Sequence, residues 1–340
     1  MAPKFGTSGL RGLVVELTDP LCAAYAKAFL QGAKTDGTVL IGRDLRDSSP
    51  RIAAAVAGGA AQAGLKAIDC GVLPPPALAF EATRRGTAAV MVTGSHIPAD
   101  RNGLKFYTAL GEITKADETA IAAGVGDLTN APAPPETSMA QDETALANYI
   151  ARYTDFFAPD ALSGLRIGVY EHSSAARACL GTILSALGAQ VVPLGRSETF
   201  VPVDTEALDS DTQAMLAGWA KEHALDAIVS TDGDADRPML ADASGAIIPG
   251  DRLGPMTAQA LGARTLVTPV SSNTLTDTMD DVTVHRTRIG SPYVIAGMEA
   301  AQADGATDVV GYEANGGFLI GFTAQQDGRT LAPLMTRDCV

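Results

Sequence analysis

Short apolar runs alternate with alanine-rich helical stretches along the chain, and this alternation restricts the fold more than any other feature. In the first third, the predicted strands are "GTVLIGRD", "KAIDCG" and "AAVMVTG". Between them, "SSPRIAAAVAGGAAQAGL" predicts a helix with a serine cap and with Pro50 in its first turn. Strands separated by helices indicate βαβ units, in which a mixed or parallel sheet is covered on both faces.

The same alternation restarts twice, at "LRIGVYEHSSAARACL" and at "RTLVTPVSSNTLTD". The Pro- and Ala-rich stretch "NAPAPPET", residues 130–137, has the composition of a linker. We therefore expect an α/β protein of three consecutive similar domains, residues 1–145, 146–250 and 251–340. Each would have a mixed sheet covered by helices, and the active-site cleft would lie between the domains. Polar, Gly-containing loops follow the strands, where open α/β sheets usually bind ligands.

The charge balance excludes some partners. A net charge of −14 over 340 residues, with no Lys/Arg cluster, argues against nucleic acid and against an anionic membrane surface. A few arginines in a cleft could still hold a phosphorylated small molecule. No apolar leader or membrane-spanning run is found, and the four cysteines form no CxxC pair, so we expect a cytoplasmic protein with reduced thiols. Its oligomeric state, monomer or homodimer, is left open.

The loop "TDGDADRP" places Asp232, Asp234 and Asp236 at alternate positions after an apolar strand. Three carboxylates this close repel one another unless a cation lies among them, and oxygen ligands suit Mg²⁺ or Ca²⁺. An EF-hand is disfavoured, because Arg237 and Ala243 replace the required Gly and Glu. Arg237 is a candidate phosphate anchor. The alternative is a solvated acidic turn.

The stretch "VMVTGSHIPADRNGLKFY" fits an ordinary strand-to-loop transition, a hydrolase nucleophile or a serine that carries phosphate. A nucleophile elbow is disfavoured, because Thr93 and Ile97 occupy the two glycine places, and because an adjacent His rarely turns its ring onto the preceding hydroxyl. A phosphate on Ser95 could instead add a ligand to the cation, while His96 and Lys105 move the proton of a sugar hydroxyl. Taken alone, His96 is equally consistent with a solvated loop imidazole, and the position of Lys105 by itself favours a solvated strand-end charge.

Three further features belong to this interpretation. Asn102-Gly103 is a strong turn signal, which would curve the chain so that Lys105 returns toward Ser95. The loop "GYEANGG" carries Glu313, which suits the reading of sugar hydroxyls, although a plain hairpin turn explains it too. Arg11 in "GTSGLRG" is either a phosphate clamp or a surface charge.

In this order, "FGTSGLRG", "TGSHIPADRNGLKFY", "TDGDADRP" and "GYEANGG" resemble the four signatures of the α-D-phosphohexomutase superfamily, which includes phosphomannomutases and phosphoglucomutases. The resemblance covers essentially the whole chain. It implies a phosphoserine at Ser95 and a Mg²⁺ ion held by the seryl phosphate with Asp232, Asp234 and Asp236. The implied catalytic residues are Ser95, His96, Lys105 and Arg11, and the implied substrate-binding residues are Arg237, Arg288, Glu313 and Asn315.

The implied reaction is a Mg²⁺-dependent mutase reaction. Phosphorylated Ser95 would donate its phosphoryl group to a hexose phosphate substrate, and the resulting hexose bisphosphate intermediate would reorient and return its other phosphoryl group. Phosphomannomutase is the preferred activity, with phosphoglucomutase or a phosphoglucosamine or N-acetylglucosamine mutase as alternatives. A catalytically silent sugar-phosphate-binding fragment is a rival of another class. A phosphatase with Asp232 as nucleophile is disfavoured, because Asp236 stands where that motif needs Thr or Val.

The sequence departs from the family pattern at several positions. Ile97 stands where Asn is frequent, Ser8 where Asp is frequent, and Asn315 and Gly317 where many bacterial members have Ser and His. The resemblance also implies a fourth domain with an R-x-S-G phosphate loop, which these 340 residues do not contain. We therefore expect them to be a truncated or partly ordered form of a longer enzyme, with reduced turnover.

Overall fold

The computed structural model describes residues 3–6, 9–128 and 131–340. Thr7 and Ser8 of the N-terminal motif, and Asn130 at the start of the predicted linker, lie outside these residues. The chain forms two compact units, residues 1–149 and residues 150–340.

The first unit is built on one mixed sheet. Its strands are β1 Lys4–Phe5, β2 Leu10–Leu13, β3 Thr38–Arg43, β4 Lys66–Val72, β5 Ala88–Val92, β6 Arg101–Thr108, β7 Gly111–Glu112 and β8 Ala140–Gln141. Their order is β1-β2-β6-β5-β3-β4-β8, and β7 pairs with β6. Strand β3 is parallel to β4 and β5, whereas β6 is antiparallel to β5 and β2. The helices are α1 Asp19–Gly32, α2 Ser49–Gln62, α3 Pro75–Arg85, α4 Lys115–Gly124 and α5 Thr144–Thr154, which contains the boundary of the unit.

Helices cover both faces of this sheet because β3 is apolar on both sides. Val39 and Ile41 belong to the same buried cluster as Ile52 of α2. Side chains alternate along a strand, so Gly42 faces the other way. A Cβ atom at Gly42 would lie 3.2 Å from Leu78 of α3. The continuous apolar run that predicted a buried strand is therefore sandwiched between two helices.

The second unit contains two five-stranded sheets. The strands of the first are β9 Arg166–Tyr170, β10 Gln190–Leu194, β11 Ala227–Thr231, β12 Pro238–Ala241 and β13 Ile247–Ile248. Those of the second are β14 Thr265–Pro269, β15 Thr283–Thr287, β16 Val309–Tyr312, β17 Phe318–Ile320 and β20 Leu334–Asp338, and β18 Ala324–Gln326 pairs with β19 Arg329–Leu331. The helices are α6 Arg177–Ala186, α7 Ser210–Glu222, α8 Gly250–Ala260 and α9 Ser291–Ala303, with a 3₁₀ turn at Leu275–Thr278.

The three sheets share one arrangement. Each contains a row of four neighbouring strands: β4-β3-β5-β6, β10-β9-β11-β12 and β15-β14-β16-β17. In each row the second strand is parallel to both of its neighbours, and the fourth strand is antiparallel to the third. This confirms the predicted fold class of three consecutive α/β domains with mixed, helix-covered sheets. The domain boundaries at residues 145/146 and 250/251 stay predictions. Among the described helices, none has the length and apolar character needed to cross a bilayer.

The predicted serine does stand at the start of α2 and Pro50 lies in the first turn, but the serine side chain does not cap the helix. Ser48 occupies the N-cap position, but its backbone is already helical and its side chain makes no capping bond. A capping serine normally has an extended backbone, so the helical backbone of Ser48 is the physical reason. The hydroxyls of Ser48 and Ser49 instead accept from the Asn102 side-chain amide, at 2.8 and 2.9 Å.

The four cysteines are free thiols, and Cys22, Cys70 and Cys179 are buried. Burial raises the pKa of each of these three thiols to about 12, so they stay protonated at neutral pH.

Candidate active site

The acidic loop links the antiparallel strands β11 and β12 in the second unit. Its backbone closes through the Asp232 amide, which donates to the Arg237 carbonyl at 3.1 Å. The Asp232 carboxylate accepts from the amides of Ala235 and Arg237 at 3.1 and 3.3 Å, and Ala235 adopts a left-handed φ of 67°. This tight turn explains how alternate residues of a short loop present their carboxylates to one point.

Asp232, Asp234 and Asp236 fit a divalent metal ion. One oxygen from each carboxylate lies within 4.8 Å of the others, and all three residues are at most 1% exposed. Burying three carboxylates together is unfavourable without compensating positive charge. An all-oxygen donor set suits Mg²⁺ or Ca²⁺ rather than a softer metal. The loop is therefore not the solvated acidic turn considered from the sequence.

Buried polar groups in the segment after the neighbouring strand β9 support the acidic loop. The His172 Nε2–H donates to the Thr231 carbonyl at 2.9 Å, and the Ser174 and Thr231 hydroxyls are 2.6 Å apart. The Ala175 amide donates to the Gly233 carbonyl at 3.0 Å. Burial lowers the pKa of His172 to about 4, so the imidazole is neutral at pH 7. These contacts fix the residues on both sides of Asp232.

The "GYEANGG" segment is a hairpin between β16 and β17. Glu313 and Gly317 pair through their backbone at 3.1 Å, and the Asn315 side chain accepts from the Gly317 amide at 2.9 Å. Glu313 and Asn315 are only 5% and 7% exposed. The segment is therefore a hairpin that also carries a buried carboxylate. The two interpretations from the sequence, a plain hairpin turn and a loop whose Glu313 reads sugar hydroxyls, are compatible with each other.

Arg337, which sequence reasoning did not assign to the site, joins these two loops. Its Nη2 lies 2.6 Å from Oδ2 of Asp236, and its Nη1 lies 3.4 Å from Oε2 of Glu313. The sequence did carry a signal, because Arg337 and Asp338 are charged residues in a final strand that is otherwise apolar or uncharged, "LMTRD". We call Asp236, Glu313 and Arg337 the Arg337 cluster.

Gly317 makes room for this cluster. A Cβ atom at Gly317 would lie 2.9 Å from both Cγ and Cδ of Arg337. The departure from the family pattern at this position therefore has a local physical reason in this chain: the backbone of the hairpin packs directly on the aliphatic part of Arg337.

The other two predicted substrate-binding residues of this unit differ in their surroundings. Arg237 is 9% exposed, with Nη1 3.7 Å from Glu206 and Nε 3.8 Å from Asp236, so its side chain lies beside the carboxylates of its own loop. Arg288 is exposed, and its guanidinium lies over the Tyr293 ring at 5.8 Å, outside the Arg337 cluster. Because Arg288 is exposed, a ligand can reach it, but its guanidinium is not held in one position by buried partners among the described residues.

Ser95 lies in the first unit, just after β5, and is 1% exposed. It has a left-handed φ of 54°, and its amide donates to the Thr93 hydroxyl at 2.8 Å. The His96 ring does turn back onto the preceding hydroxyl, contrary to the sequence expectation, with Nδ1 3.4 Å from Ser95 Oγ. The left-handed backbone at Ser95 brings the two side chains to one side. At 3.4 Å the contact is longer than a well-formed hydrogen bond.

Asp44 and Arg46 anchor this loop, and sequence reasoning missed both. The Asp44 Oδ2 atom accepts from the Thr93 hydroxyl at 2.8 Å, from the Gly94 amide at 3.3 Å and from Arg46 Nε at 3.1 Å. Burial raises the pKa of Asp44, and the adjacent Arg46 guanidinium opposes that shift. The signal was an Asp-x-Arg pattern at the end of strand β3, in "GRDLRDSSP".

The predicted turn at Asn102-Gly103 is wrong, because both residues lie inside strand β6. Asn102 is used for side-chain hydrogen bonds to α2. At Gly103, a Cβ atom would collide with the Leu10 carbonyl of β2, so the glycine serves close strand packing rather than a turn. The chain reverses earlier, between Ser95 and Asp100.

The register of the sheet places two predicted basic residues on one face. Arg11 pairs with Gly103, and Lys105 lies two residues further along β6. Since side chains alternate along a strand, Arg11 and Lys105 share a face of the sheet. Lys105 is 4% exposed and lies opposite Met91 of β5. It is therefore not the solvated strand-end charge that its position alone would suggest.

Three successive stretches match "Phosphoglucomutase/phosphomannomutase, alpha/beta/alpha" domains: domain I at residues 2–131, domain II at 146–245 and domain III at 249–337. A phosphomannomutase of Sinorhizobium fredii is 51% identical, with 100% of this chain and 74% of that protein covered. A phosphomannomutase of Salmonella muenchen is 45% identical, with 99% of this chain and 70% of that protein covered.

A solved structure of a phosphoglucomutase/phosphomannomutase family protein from Burkholderia thailandensis superposes with a TM-score of 0.77. It is 22% identical, and the alignment covers 95% of this chain and 74% of that one, so this likeness shows the fold alone. Together, the three-domain fold and the sequence matches define a phosphohexomutase, an isomerase whose substrates are sugar phosphates. The chain belongs to the phosphoglucomutase/phosphomannomutase family.

Proposed function

We propose that the chain interconverts hexose 6-phosphate and hexose 1-phosphate through a bisphosphate intermediate, and that mannose phosphates are its preferred substrates. The observation that carries this proposal is the match to a phosphomannomutase at 51% identity over the whole of this chain. The buried geometry of the Ser95, Asp232–Arg237 and Glu313 loops is compatible with it.

Ser95 is the proposed carrier of the phosphoryl group. In the first half-reaction the Oγ–P bond breaks, a bond forms between phosphorus and the attacking hydroxyl oxygen of the hexose phosphate, and the hydroxyl proton is taken up by a base. In the second half-reaction the other sugar O–P bond breaks, the Oγ–P bond reforms, and the proton returns to the sugar oxygen. His96 suits a part in this proton transfer, since its Nδ1 is 3.4 Å from Ser95 Oγ. Lys105 and Arg11 are proposed partners on the same unit.

Asp232, Asp234 and Asp236 are the proposed ligands of Mg²⁺. When bound, the ion supplies positive charge that stabilises phosphoryl oxygens during transfer. That the seryl phosphate completes this ligand set stays a prediction. Glu313 and Asn315 are proposed to read sugar hydroxyls, and Arg237 and Arg288 to bind phosphate. A cytoplasmic location also stays a prediction, and the oligomeric state, monomer or homodimer, is left open.

The proposal is tested by steady-state kinetics with Mg²⁺ and a catalytic amount of hexose 1,6-bisphosphate. Mannose 1-phosphate, glucose 1-phosphate and glucosamine 1-phosphate are compared in parallel by ³¹P NMR. We expect the highest kcat/KM for mannose 1-phosphate, and phosphate on Ser95 by peptide mapping. Ser95→Ala should abolish turnover, whereas Ser244→Ala, in an exposed turn, should not.

Other results would select the alternatives. Preferred turnover of glucosamine 1-phosphate would indicate a phosphoglucosamine mutase. Binding without turnover of any of the three sugars would indicate a silent sugar-phosphate-binding chain. Hydroxylamine-labile phosphate, as expected for an acyl phosphate on Asp232, would overturn the phosphoserine mechanism in favour of an aspartyl enzyme.

A further inference from the structure

A buried guanidinium lies inside the curve of the Ser95 loop. Arg46 is 2% exposed. Its Nη2 donates to the carbonyls of Ser95 at 2.8 Å and Ile97 at 2.6 Å. Its Nη1 donates to the carbonyls of Pro98 at 2.7 Å and Arg101 at 3.1 Å. Four backbone carbonyls within one seven-residue segment therefore meet on a single side chain.

The guanidinium is itself fixed from the opposite side. Its Nε donates to Asp44 Oδ2 at 3.1 Å, and the Ser49 hydroxyl donates to Asp44 Oδ1 at 2.5 Å. A buried charge pair of this kind has a defined geometry, because a planar guanidinium donates only in fixed directions. A lysine keeps the charge but presents its donors from one atom, so it cannot serve four carbonyls and a carboxylate together.

Gly94 is needed for this arrangement. A Cβ atom at Gly94 would lie 2.7 Å from the guanidinium carbon of Arg46. The next residue, Ser95, has its backbone in the left-handed region, at a φ of 54°. A side-chain-bearing residue adopts that region at some cost, and keeps it where the surroundings hold it. Arg46 supplies that hold through the Ser95 carbonyl.

The hydrogen bond to the Ser95 carbonyl also orients the next peptide group. The described chain has no cis peptide bond. In a planar trans peptide the C=O of one residue and the N–H of the next point in opposite directions. The His96 N–H therefore points away from Arg46. One side chain thus determines the backbone of Ser95 and the direction of the amide that follows it.

We propose that Arg46 is a positioning residue for phosphoryl transfer at Ser95, an inference that rests on the proposed function. It acts through the loop backbone rather than by touching the sugar or the phosphate. Phosphoryl transfer depends on placement of the reacting oxygen, and a displacement of about 1 Å can cost about 100-fold in rate. Holding four carbonyls at once is a direct means of preventing such a displacement.

The test uses two variants that disturb this contact from opposite sides, Arg46→Lys and Gly94→Ala. The probe is mannose 1,6-bisphosphate, and the rate of phosphate incorporation at Ser95 is followed by intact mass. We expect both variants to lose about 100-fold in this rate, with the KM for hexose phosphate changed less than threefold. Arg51→Lys is the matched control. Arg51 also donates to backbone carbonyls, of Val14 and Leu17, in the same unit.

Amide hydrogen exchange provides a readout that does not depend on activity. In both variants, exchange should accelerate in residues 93–103 and stay unchanged in residues 19–32 and 49–62. If the wild-type chain takes no phosphate at Ser95, the proposed function fails, while exchange in the loop still shows whether Arg46 holds it. Wild-type rates and exchange in both variants would overturn the inference. So would global unfolding of both, because Arg46 would then serve the fold as a whole.

Discussion

Arg337 Nη2 lies 2.6 Å from Oδ2 of Asp236, and both side chains are buried. The other terminal nitrogen of the same guanidinium lies 3.4 Å from Glu313. One cation therefore stands between a proposed metal ligand and a proposed sugar-reading carboxylate. Because water is largely excluded, the two carboxylates depend on this cation more than exposed ion pairs do.

Arg337→Met should destabilise the second unit strongly. Removing one partner of a buried ion pair costs about 3–5 kcal/mol. Here the carboxylates of Asp236 and Glu313 would stay buried without the guanidinium that neutralises them. Adding Glu313→Gln should recover part of that loss, since it removes one of the two facing carboxylates. The free energies of unfolding would be measured by urea denaturation. Trp219, the only tryptophan of the chain, packs on Tyr170 in this unit and supplies the fluorescence signal.

Arg288→Met is the control for this cycle, because Arg288 is exposed and should change stability by only about 0.5 kcal/mol or less. Strictly additive effects of Arg337→Met and Glu313→Gln would mean that the two side chains do not interact energetically.

The repeated fold could be predicted from the sequence because its signals are local. Each strand is a short apolar run followed by a polar loop, and this pattern restarts with each domain. The triple-Asp loop is local as well, since Asp232, Asp234 and Asp236 lie within five consecutive residues. Sequence patterns predict structure well where the interacting residues are close together in the chain.

The errors have the opposite cause. Asn102-Gly103 has the composition of a turn, but a neighbouring strand and the hydroxyls of α2 determine its conformation. Arg46 and Arg337 each contact loops that are far away in the chain. The spacing of apolar and polar residues along the sequence does not indicate such long-range contacts. The left-handed backbone of Ser95 depends on one of these long-range contacts. Sequence reasoning therefore found the groups that could react and missed those that hold them.

Mg²⁺ should stabilise the second unit through the acidic loop. A ligand that binds only the folded state adds about 2.7 kcal/mol at 100 times its Kd. Asp234→Asn removes one carboxylate from the donor set and should reduce this Mg²⁺-dependent shift of the unfolding midpoint. Asp242→Asn, in an exposed turn after β12, is the matched control and should keep the wild-type response. An unchanged response in Asp234→Asn would show that the loop does not bind the ion.

Glu313→Gln should weaken discrimination among hexose phosphates. A hydrogen bond to a charged group is worth about 1.5–3 kcal/mol, so kcat/KM for the preferred sugar should fall about 10- to 100-fold. The rate of Ser95 phosphorylation by the bisphosphate should change less. Glu198→Gln, at an exposed position, serves as the control. An equal loss for all sugars and for Ser95 phosphorylation would instead indicate that Glu313 matters through its contact with Arg337.

The neutral imidazole of His172 should make the second unit sensitive to mild acid. Burial lowers its pKa from 6.5 to about 4, and the Arg177 side chain, which donates to the His172 carbonyl, acts in the same direction. Between these two values the unfolded chain binds more protons than the folded chain. The stabilisation is therefore complete above about pH 6.5 and is lost as the pH falls toward 4.

For His172 this corresponds to a loss of about 2 kcal/mol between about pH 7.5 and about pH 5. His172→Gln retains a donor for the Thr231 carbonyl but has no group that titrates in this range. Its free energy of unfolding, followed by Trp219 fluorescence, should therefore depend less on pH than that of the wild type. His285→Gln, at an exposed position, should keep the wild-type profile. If wild type and His172→Gln lose the same free energy over this interval, other groups carry the acid sensitivity, and burial does not lower the pKa of His172 as expected here.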